Sequence, residues 1–290
     1  MIGAPSWAPT TRPMPQLAAP PVRASRTGRP GRMRGWMIGA ALLAALLLPP
    51  MAEAGCSRVI RAPMAPSARL VMVENGQVDG VWPDLLRQVG DAVGCRFELA
   101  PMPRARLEME FLSGRQLDLM ISATRTEERD RRGLFVPLFL QPMVLLTRSA
   151  DADRISSLEA LRASGWRMAV PRSFAFSADY RALVGELEAE RRVDTVNDID
   201  AVGRMLRAGR VDFALLSPPQ AQAAAGAGIV FRRFDGLPLM EVGLYLSRQS
   251  LAPADLALLR DALARSAREG HVRRAFLRHY PPEVADLNQP

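Results

Sequence analysis

Residues 114–129 read G-R-Q-L-D-L-M-I-S-A-T-R-T-E-E-R, and this stretch indicates both the class of fold and a candidate site. The mostly apolar run at 118–121 predicts a short buried strand. Small and hydroxyl-bearing residues follow at 122–124, where no bulky side chain screens the backbone N–H groups. Thr126 can cap a short helix, and Arg129 follows it. A guanidinium beside such donors matches a carboxylate with two parallel hydrogen bonds. The alternative is a strand, a turn and a surface arginine.

The composition argues against several classes of enzyme. The chain contains no lysine, so it has no Schiff-base lysine, no Walker A lysine and no Ser–Lys dyad. The two histidines, His271 and His279, both lie near the C-terminus, which argues against a two-histidine metal site or a Ser-His-Asp triad within the fold. We therefore expect no catalytic residue, no metal site and no cofactor.

The net charge of +8 gives no indication of a nucleic-acid partner. Six arginines lie in residues 1–54, which carry a single acid, so the rest of the chain is only weakly basic. It also has no basic patch interleaved with aromatic residues, the pattern typical of nucleic-acid binding.

The N-terminal region indicates export. The apolar stretch at 37–48 is 12 residues long, too short to span a bilayer and typical of a signal-peptide core. Arg32 and Arg34 precede it, and an A-x-A pattern follows at 52–54. These features predict that residues 1–54 are an N-terminal extension plus a signal peptide, cleaved near Ala54, and that the mature protein lies in the periplasm.

Two alternatives concern this region. Cys56 could be a lipoprotein cysteine, although Glu53 stands where the lipidation motif has leucine. Residues 1–32 are rich in Pro, Arg and Ala without periodicity. A start at Met33 would give a signal peptide of ordinary length, so residues 1–32 are either a wrongly assigned start or a disordered extension.

Cys56 and Cys95 are the only cysteines, and in an exported protein an even pair favours a disulfide. Cys56 precedes one predicted strand, Cys95 opens the next, and a predicted helix lies between the two strands. In such a β-α-β unit the strands are parallel neighbours, so their N-terminal ends bring the two sulfurs together. The alternative is two free thiols.

Strands and helices are predicted to alternate along the mature chain. The predicted strands are 58–62, 95–100, 117–122, 166–170, 193–196, 211–216, 228–232 and 240–247. The predicted helices are 81–93, 104–113, 157–163, 177–190, 197–208, 218–226 and 253–280, the last broken at Gly270. This alternation is typical of an α/β protein, and in the second half it predicts a parallel sheet with helices on both faces.

Several motifs resemble, in order and spacing, those of the family 3 bacterial extracellular solute-binding proteins, the amino-acid-binding components of ABC importers. They are G-V-W-P-D-L-L (80–86), T-x-E-R (126–129), S-L-E-A-L (157–161), W-R-M-A-V (166–170), R-M-L-R-A-G-R-V-D-F-A-L-L (204–216) and, more weakly, G-x-V-R-R-A-F (270–276). The resemblance covers about residues 56–281.

The resemblance implies a type II periplasmic-binding-protein fold, in which two α/β lobes enclose a ligand cleft and are joined by two crossing hinge strands. Lobe 1 would comprise residues 55–145 and 243–290, and lobe 2 residues 146–242. The lobes would rotate about the crossing strands near 144–148 and 242–246.

Ligands of open α/β sheets lie beyond the carboxyl ends of the strands, and this rule selects the candidate site residues. The resemblance implies that Arg129 holds a ligand carboxylate and that Ser122 and Thr124 supply nearby donors. Arg104 could bind a further anionic group or simply be solvated. Phe174 lies in a loop that contacts the ligand in the family, with a core position as the alternative.

Ser217 is a departure from the family. Amino-acid binders usually have an aspartate at this position to neutralise the α-ammonium, and the loop at 62–66 lacks an acid as well. The ligand could therefore be a small carboxylate without an ammonium, or an amine held through water and Ser217.

The sequence thus predicts a periplasmic solute-binding protein, not an enzyme, that captures a small anionic or amino-acid-like solute for ABC import. We expect a monomer that docks on an inner-membrane ABC permease. The alternatives are a sensory or accessory protein that binds ligand without transport, and a dehydratase-like enzyme on the same fold.

Overall fold

The computed structural model describes residues 55–114, 117–172 and 176–288. The predicted N-terminal extension, signal peptide and cleavage site near Ala54 lie outside these residues, as does Phe174. No helix in the described residues combines the length and the apolar character needed to cross a membrane.

The described residues form an α/β structure. The strands are β1 (Ile60–Arg61), β2 (Met72–Glu74), β3 (Gln77–Asp79), β4 (Phe97–Glu98), β5 (Leu119–Thr124), β6 (Gly133–Gln141), β7 (Met143–Arg148), β8 (Met168–Pro171), β9 (Val193–Val196), β10 (Phe213–Leu216), β11 (Ile229–Phe234) and β12 (Met240–Ser247). The helices are α1 (Val81–Val93), α2 (Arg104–Ser113), α3 (Glu127–Asp130), α4 (Leu158–Ala163), α5 (Ala178–Ala189), α6 (Ile199–Arg207), α7 (Pro218–Ala224), α8 (Pro253–Arg268), α9 (His271–His279) and α10 (Pro282–Ala285), with a short 3-10 helix at Ser149–Asp151.

The strands form two main sheets and two small pairs. One main sheet has the order β5-β12-β6 and is antiparallel. The other has the order β11-β7-β10-β8-β9. Strands β1 and β4 form a parallel pair, and β2 and β3 form a hairpin.

The expectation of a parallel second sheet is confirmed for part of it only, because the sheet is mixed. Strands β8, β9 and β10 are parallel neighbours, but β7 runs antiparallel to β10 and to β11. Strand β7 follows β6 after a single residue, Pro142, and occupies the edge of β10. Strand β11 therefore pairs with β7 and not with β10.

The chain passes between the two main sheets twice. It leaves the β5-β12-β6 sheet at Pro142 and returns over residues 235–239, between β11 and β12. The lobe boundaries expected at 145/146 and 242/243 lie within β7 and β12 and stay a prediction.

Local sequence signals account for several helix ends. Helix α1 has the predicted bounds and ends at Gly94, whose left-handed backbone (φ 69°) donates a hydrogen bond to the carbonyl of Gly90. Helix α2 also has the predicted bounds, and Gly114 ends it in the same conformation. The side chain of Thr126 accepts a hydrogen bond from the Arg129 N–H at 3.3 Å, which confirms the predicted cap of α3.

Two local features differ from expectation. The cap of α4 is Ser157, whose side chain accepts a hydrogen bond from the Ala160 N–H, so the helix begins at Leu158, one residue later than predicted. The β2–β3 hairpin was not predicted, although Asn75-Gly76 at its turn is a recognised signal; both residues have positive φ.

Asp118, whose carboxylate is buried, connects three strands through its side chain and its backbone. Its side chain is inaccessible to solvent and accepts hydrogen bonds from the guanidinium groups of Arg58 and Arg61 and from the Arg61 backbone N–H. Its own backbone N–H bonds to Arg61 and its carbonyl to Ser247. Burial alone would raise the pKa of Asp118, but the hydrogen bonds from Arg58 and Arg61 outweigh it and hold the pKa well below its usual range.

The predicted disulfide is present between Cys56 and Cys95, whose Cα atoms are 4.8 Å apart. It joins the chain just before β1 to the chain just before β4. These two strands are parallel neighbours, with Ile60 opposite Phe97, as the β-α-β argument requires.

Removing the disulfide should destabilise the protein. The bond closes a loop with a sequence separation of 39 residues, so the double variant Cys56→Ser/Cys95→Ser should lose about 3–4 kcal/mol of unfolding free energy in the chain-entropy account. Urea denaturation of both proteins, with and without reductant, measures this. Reductant should shift the wild-type midpoint and leave the variant unaffected; identical midpoints without reductant would contradict the expectation.

Replacing the buried carboxylate should reduce stability and its pH dependence. Because the folded-state pKa of Asp118 is depressed, its stabilising contribution is complete above the ordinary value of about 4 and is lost as the pH falls toward the depressed value. Asp118→Asn should lower the unfolding free energy at neutral pH by about 3 kcal/mol and flatten its decline in acid. Urea denaturation across this pH range tests both effects. The exposed Asp261→Asn is the control. If the unfolding free energies of Asp118→Asn and Asp261→Asn change with pH in parallel, Asp118 has no special role in the pH dependence of stability.

Candidate functional site

A cavity of about 580 Å³ lies where loops and strand ends from both main sheets meet. Its lining includes residues that follow β1, β8 and β10, together with the end of β5 and the first turns of α1 and α2. The polar lining residues are Ser67, Arg104, Glu108, Ser122, Thr124, Arg129, Gln141, Arg172, Ser217 and Gln220. The position agrees with the rule that ligands of α/β sheets bind beyond the carboxyl ends of strands.

Arg129 is held in a bidentate ion pair with Glu108. Its Nε donates to Oε1 of Glu108 at 2.8 Å and its Nη2 donates to Oε2 at 2.9 Å. Its Nη1 donates to the Thr124 carbonyl at 2.8 Å. The Arg129 side chain is 15% exposed and that of Glu108 is 29% exposed. The predicted carboxylate-binding edge of Arg129 therefore already binds a carboxylate of the chain itself.

Arg104 lies beside this pair. Its Nη1 donates to the carbonyls of Ile121 at 3.1 Å and Ser122 at 3.3 Å, and its Nη2 lies 3.8 Å from Oε2 of Glu108. Burial, and then the positive charge of Arg129, lower the pKa of the Arg104 guanidinium. Both effects oppose the charged form, whereas the negative charge of Glu108 favours it.

A β-bulge exposes the carbonyls that hold Arg104. In the ladder between β5 and β12, Met120 faces Tyr245 and Ala123 faces Gly243, so Ile121 and Ser122 together face one residue. Ser122 has φ 55°, a left-handed conformation that is uncommon for a residue with a side chain. Such strained backbone is concentrated at functional sites. Here the strained Ser122 lies in the bulge that directs the carbonyls of Ile121 and Ser122 at the guanidinium of Arg104.

The second sheet contributes Ser217, Gln220 and Arg172 to the cavity. Ser217 is buried, and its backbone N–H donates to Oε1 of Gln220 at 3.3 Å at the start of α7. Arg172 follows β8 and is exposed, but it lines the cavity. Residues from both sheets would therefore contact a bound solute.

The remaining wall of the cavity is apolar and aromatic. Trp82 and Phe139 lie with ring centroids 6.1 Å apart, and Phe139 packs edge-on against Phe276 at 5.4 Å. Met240 and Val242 of β12 also line this part. The Trp82 indole N–H is buried and has no hydrogen-bond partner among the described residues.

The structure brings together Arg104, Ser122, Thr124, Arg129 and Ser217, the predicted site residues that it describes. Ser122 and Thr124 were expected to supply donors to the ligand, whereas their carbonyls accept hydrogen bonds from Arg104 and Arg129. The loop at 62–66 and position 217 lack an acid, as the sequence shows.

Sequence reasoning missed Glu108. Among the described residues that line the cavity it is the one acid. The available signal was its spacing: Glu108 lies four residues after Arg104 on a helix that begins at a cleft loop, so the two side chains share a helix face.

One cluster outside the cavity has metal-ligand residue types. Ligand atoms of Asp79, Asp84 and His279 lie within 4.8 Å of one another. The guanidinium of Arg87 lies near both carboxylates and that of Arg278 near Asp84, at 3.4–3.5 Å. The charges of these carboxylates are thus already compensated by cations of the chain.

Comparison with known proteins places the chain in a family. Residues 60–275, most of the chain, match the bacterial extracellular solute-binding proteins, family 3. The comparison with curated proteins gave no match.

Solved structures share the fold at low sequence identity, which on its own shows the fold alone. An ancestral amino acid-binding protein, AncCDT-1, described as a precursor of cyclohexadienyl dehydratase, has 18% identity and a TM-score of 0.58, covering 79% of this chain and 96% of that one. A histidine kinase sensor domain similar to periplasmic binding proteins has 17% identity and a TM-score of 0.60, covering 77% and 96%. A putative L-cystine ABC transporter protein from Listeria monocytogenes has 16% identity and a TM-score of 0.59, covering 80% and 99%. The chain therefore has the type II periplasmic-binding-protein fold and belongs to the bacterial extracellular solute-binding proteins, family 3.

Proposed function

We propose that this protein is a periplasmic solute-binding protein that captures a small carboxylate-bearing solute and delivers it to an inner-membrane ABC permease. The observation that carries the proposal is the pair Arg104 and Arg129 in the lining of a cavity that also has apolar and aromatic residues. Family membership supports the binding role.

The charges of the lining favour an anionic solute. Three arginines (104, 129 and 172) line the cavity against Glu108 alone among the described acids. The aromatic wall formed by Trp82, Phe139 and Phe276 suits a solute with an apolar body. A small organic carboxylate satisfies both requirements.

Closure of the two sheets around the solute completes the proposed mechanism. The chain passes between the sheets at Pro142 and over residues 235–239, which suits a hinge. Closure would exclude water and strengthen the attraction between the arginines and the carboxylate. The closed form would then dock on the permease.

Sensing without transport is the main alternative, because a histidine kinase sensor domain has the same fold. A dehydratase-like activity would need an acid that is free to transfer a proton. The cavity acid Glu108 instead accepts two hydrogen bonds from Arg129, so we propose binding and not catalysis.

Replacement of Arg129 should abolish capture. A thermal-shift screen against amino acids, mono- and dicarboxylates and opines identifies the solute, since a hundredfold excess over Kd stabilises by about 2.7 kcal/mol. Arg129→Gln removes a charge-assisted pair and should weaken binding of that solute at least about a hundredfold in calorimetry. The exposed Arg131→Gln, in the same turn, should bind as the wild type does. Equal affinity in Arg129→Gln would show that the site is wrong.

Uptake measurements separate import from sensing. Deleting the gene should strongly reduce cellular uptake of the radiolabelled solute from the screen. The wild-type gene should restore uptake, and the Arg129→Gln gene should not. Unchanged uptake in the deletion strain, with binding intact in the purified protein, would favour the sensory role over import.

A further inference from the structure

We infer that Glu108 is an exchangeable internal carboxylate. When a solute binds, its carboxylate displaces Glu108 from Arg129, and Glu108 moves to Arg104. The site therefore selects monocarboxylates that lack an ammonium group. This inference rests on the proposed function and specifies its class of substrate. It is carried by the contacts of Arg104, Glu108 and Arg129.

Glu108 occupies the edge of Arg129 that a solute carboxylate would use. A guanidinium has five N–H donors, and in Arg129 the Nε and Nη2 edge holds both carboxylate oxygens of Glu108. Its Nη1 is bound to the Thr124 carbonyl. A solute carboxylate that binds Arg129 through this Nε and Nη2 edge must therefore replace Glu108.

Glu108 has a second possible partner within reach, the guanidinium of Arg104. Nη2 of Arg104 lies 3.8 Å from Oε2 of Glu108, about 1 Å longer than a typical charge-assisted hydrogen bond. Nε and Nη2 of Arg104 make no hydrogen bond to any described residue, since its two bonds both come from Nη1. A small rotation of the Glu108 side chain, four residues along the same helix, would therefore exchange one guanidinium for the other.

The charges of these three side chains also support the exchange. Arg104, Arg129 and Glu108 together carry one net positive charge, so a single solute carboxylate makes the group neutral. Each arginine then has its own carboxylate, as partly buried cations require. An α-ammonium on the solute would have no acid left among the described cavity-lining residues, because Glu108 is the one acid there.

Pairs of compounds that differ only in the α-ammonium test this inference. We suggest L-phenylalanine against 3-phenylpropanoate and L-leucine against 4-methylpentanoate, measured by calorimetry on the purified protein. The variants are Glu108→Gln, Arg104→Gln and their combination. Glu110→Gln is the matched control, because Glu110 lies on the same helix, pairs with Arg106 at 3.5 Å and does not line the cavity. Thermal midpoints establish that every variant is folded.

Each substitution is expected to change the affinity in a defined direction. In the wild type, the ammonium-free member of the favoured pair should bind more tightly than its amino acid. Glu108→Gln removes the internal competitor and should tighten binding of that compound about tenfold. Arg104→Gln leaves the displaced carboxylate without a partner and should weaken binding about tenfold, but by clearly less when Glu108 is already Gln. Glu110→Gln should change nothing.

Four outcomes would overturn the inference. If Glu108→Gln weakens binding of the amino acid alone, Glu108 is an ammonium acceptor. If Glu108→Gln changes the affinity for neither member of the pair, Glu108 stays on Arg129 in the bound state. If the effects of Glu108→Gln and Arg104→Gln on affinity add, Arg104 does not receive Glu108. The proposed carboxylate site survives these three outcomes provided that Arg129→Gln still abolishes binding. Binding of no compound by wild type or Glu108→Gln would overturn the carboxylate site and the inference together.

Discussion

The buried carboxylate of Asp118 is the constraint on which the geometry of the site depends. It takes hydrogen bonds from Arg58 and Arg61 before and within β1, while its backbone links β5 to β1 and to the end of β12. A buried charge is tolerated only when it is paired and hydrogen-bonded, so these strands have little freedom to shift. The loops that follow β1 and β5 are thereby brought to the same edge, where the cavity forms.

The cavity itself is organised by a second carboxylate, Glu108, between two arginines. A bulge in β5 places the carbonyls of Ile121 and Ser122 on Arg104, and the Thr124 carbonyl holds Arg129. Backbone acceptors fix the directions of both guanidinium groups but neutralise neither. The group therefore retains one net positive charge near an apolar wall, an environment in which an anion is stabilised more strongly than in water.

The sequence predicted the local elements and several of the site residues because those depend on neighbouring residues. Helix α1 could be bounded from its apolar face and Gly94, and the cap of α3 from Thr126. The disulfide followed from the β-α-β order around Cys56 and Cys95. The pairing of β7 and β11 could not be predicted, since strand direction depends on which sheet edge is free once the chain has crossed at Pro142.

The sequence by itself thus determined the fold class, the family and the presence of Arg104, Arg129 and Ser217 at strand ends, because periodicity, capping and the order of motifs are properties of the linear chain. Only the tertiary structure decided what those residues contact. The pairing of Glu108 with Arg129 joins residues 21 positions apart, and a bidentate ion pair requires tenths of an ångström and a defined orientation. No sequence pattern specifies such distances. They follow from how β5, β12 and α2 pack together.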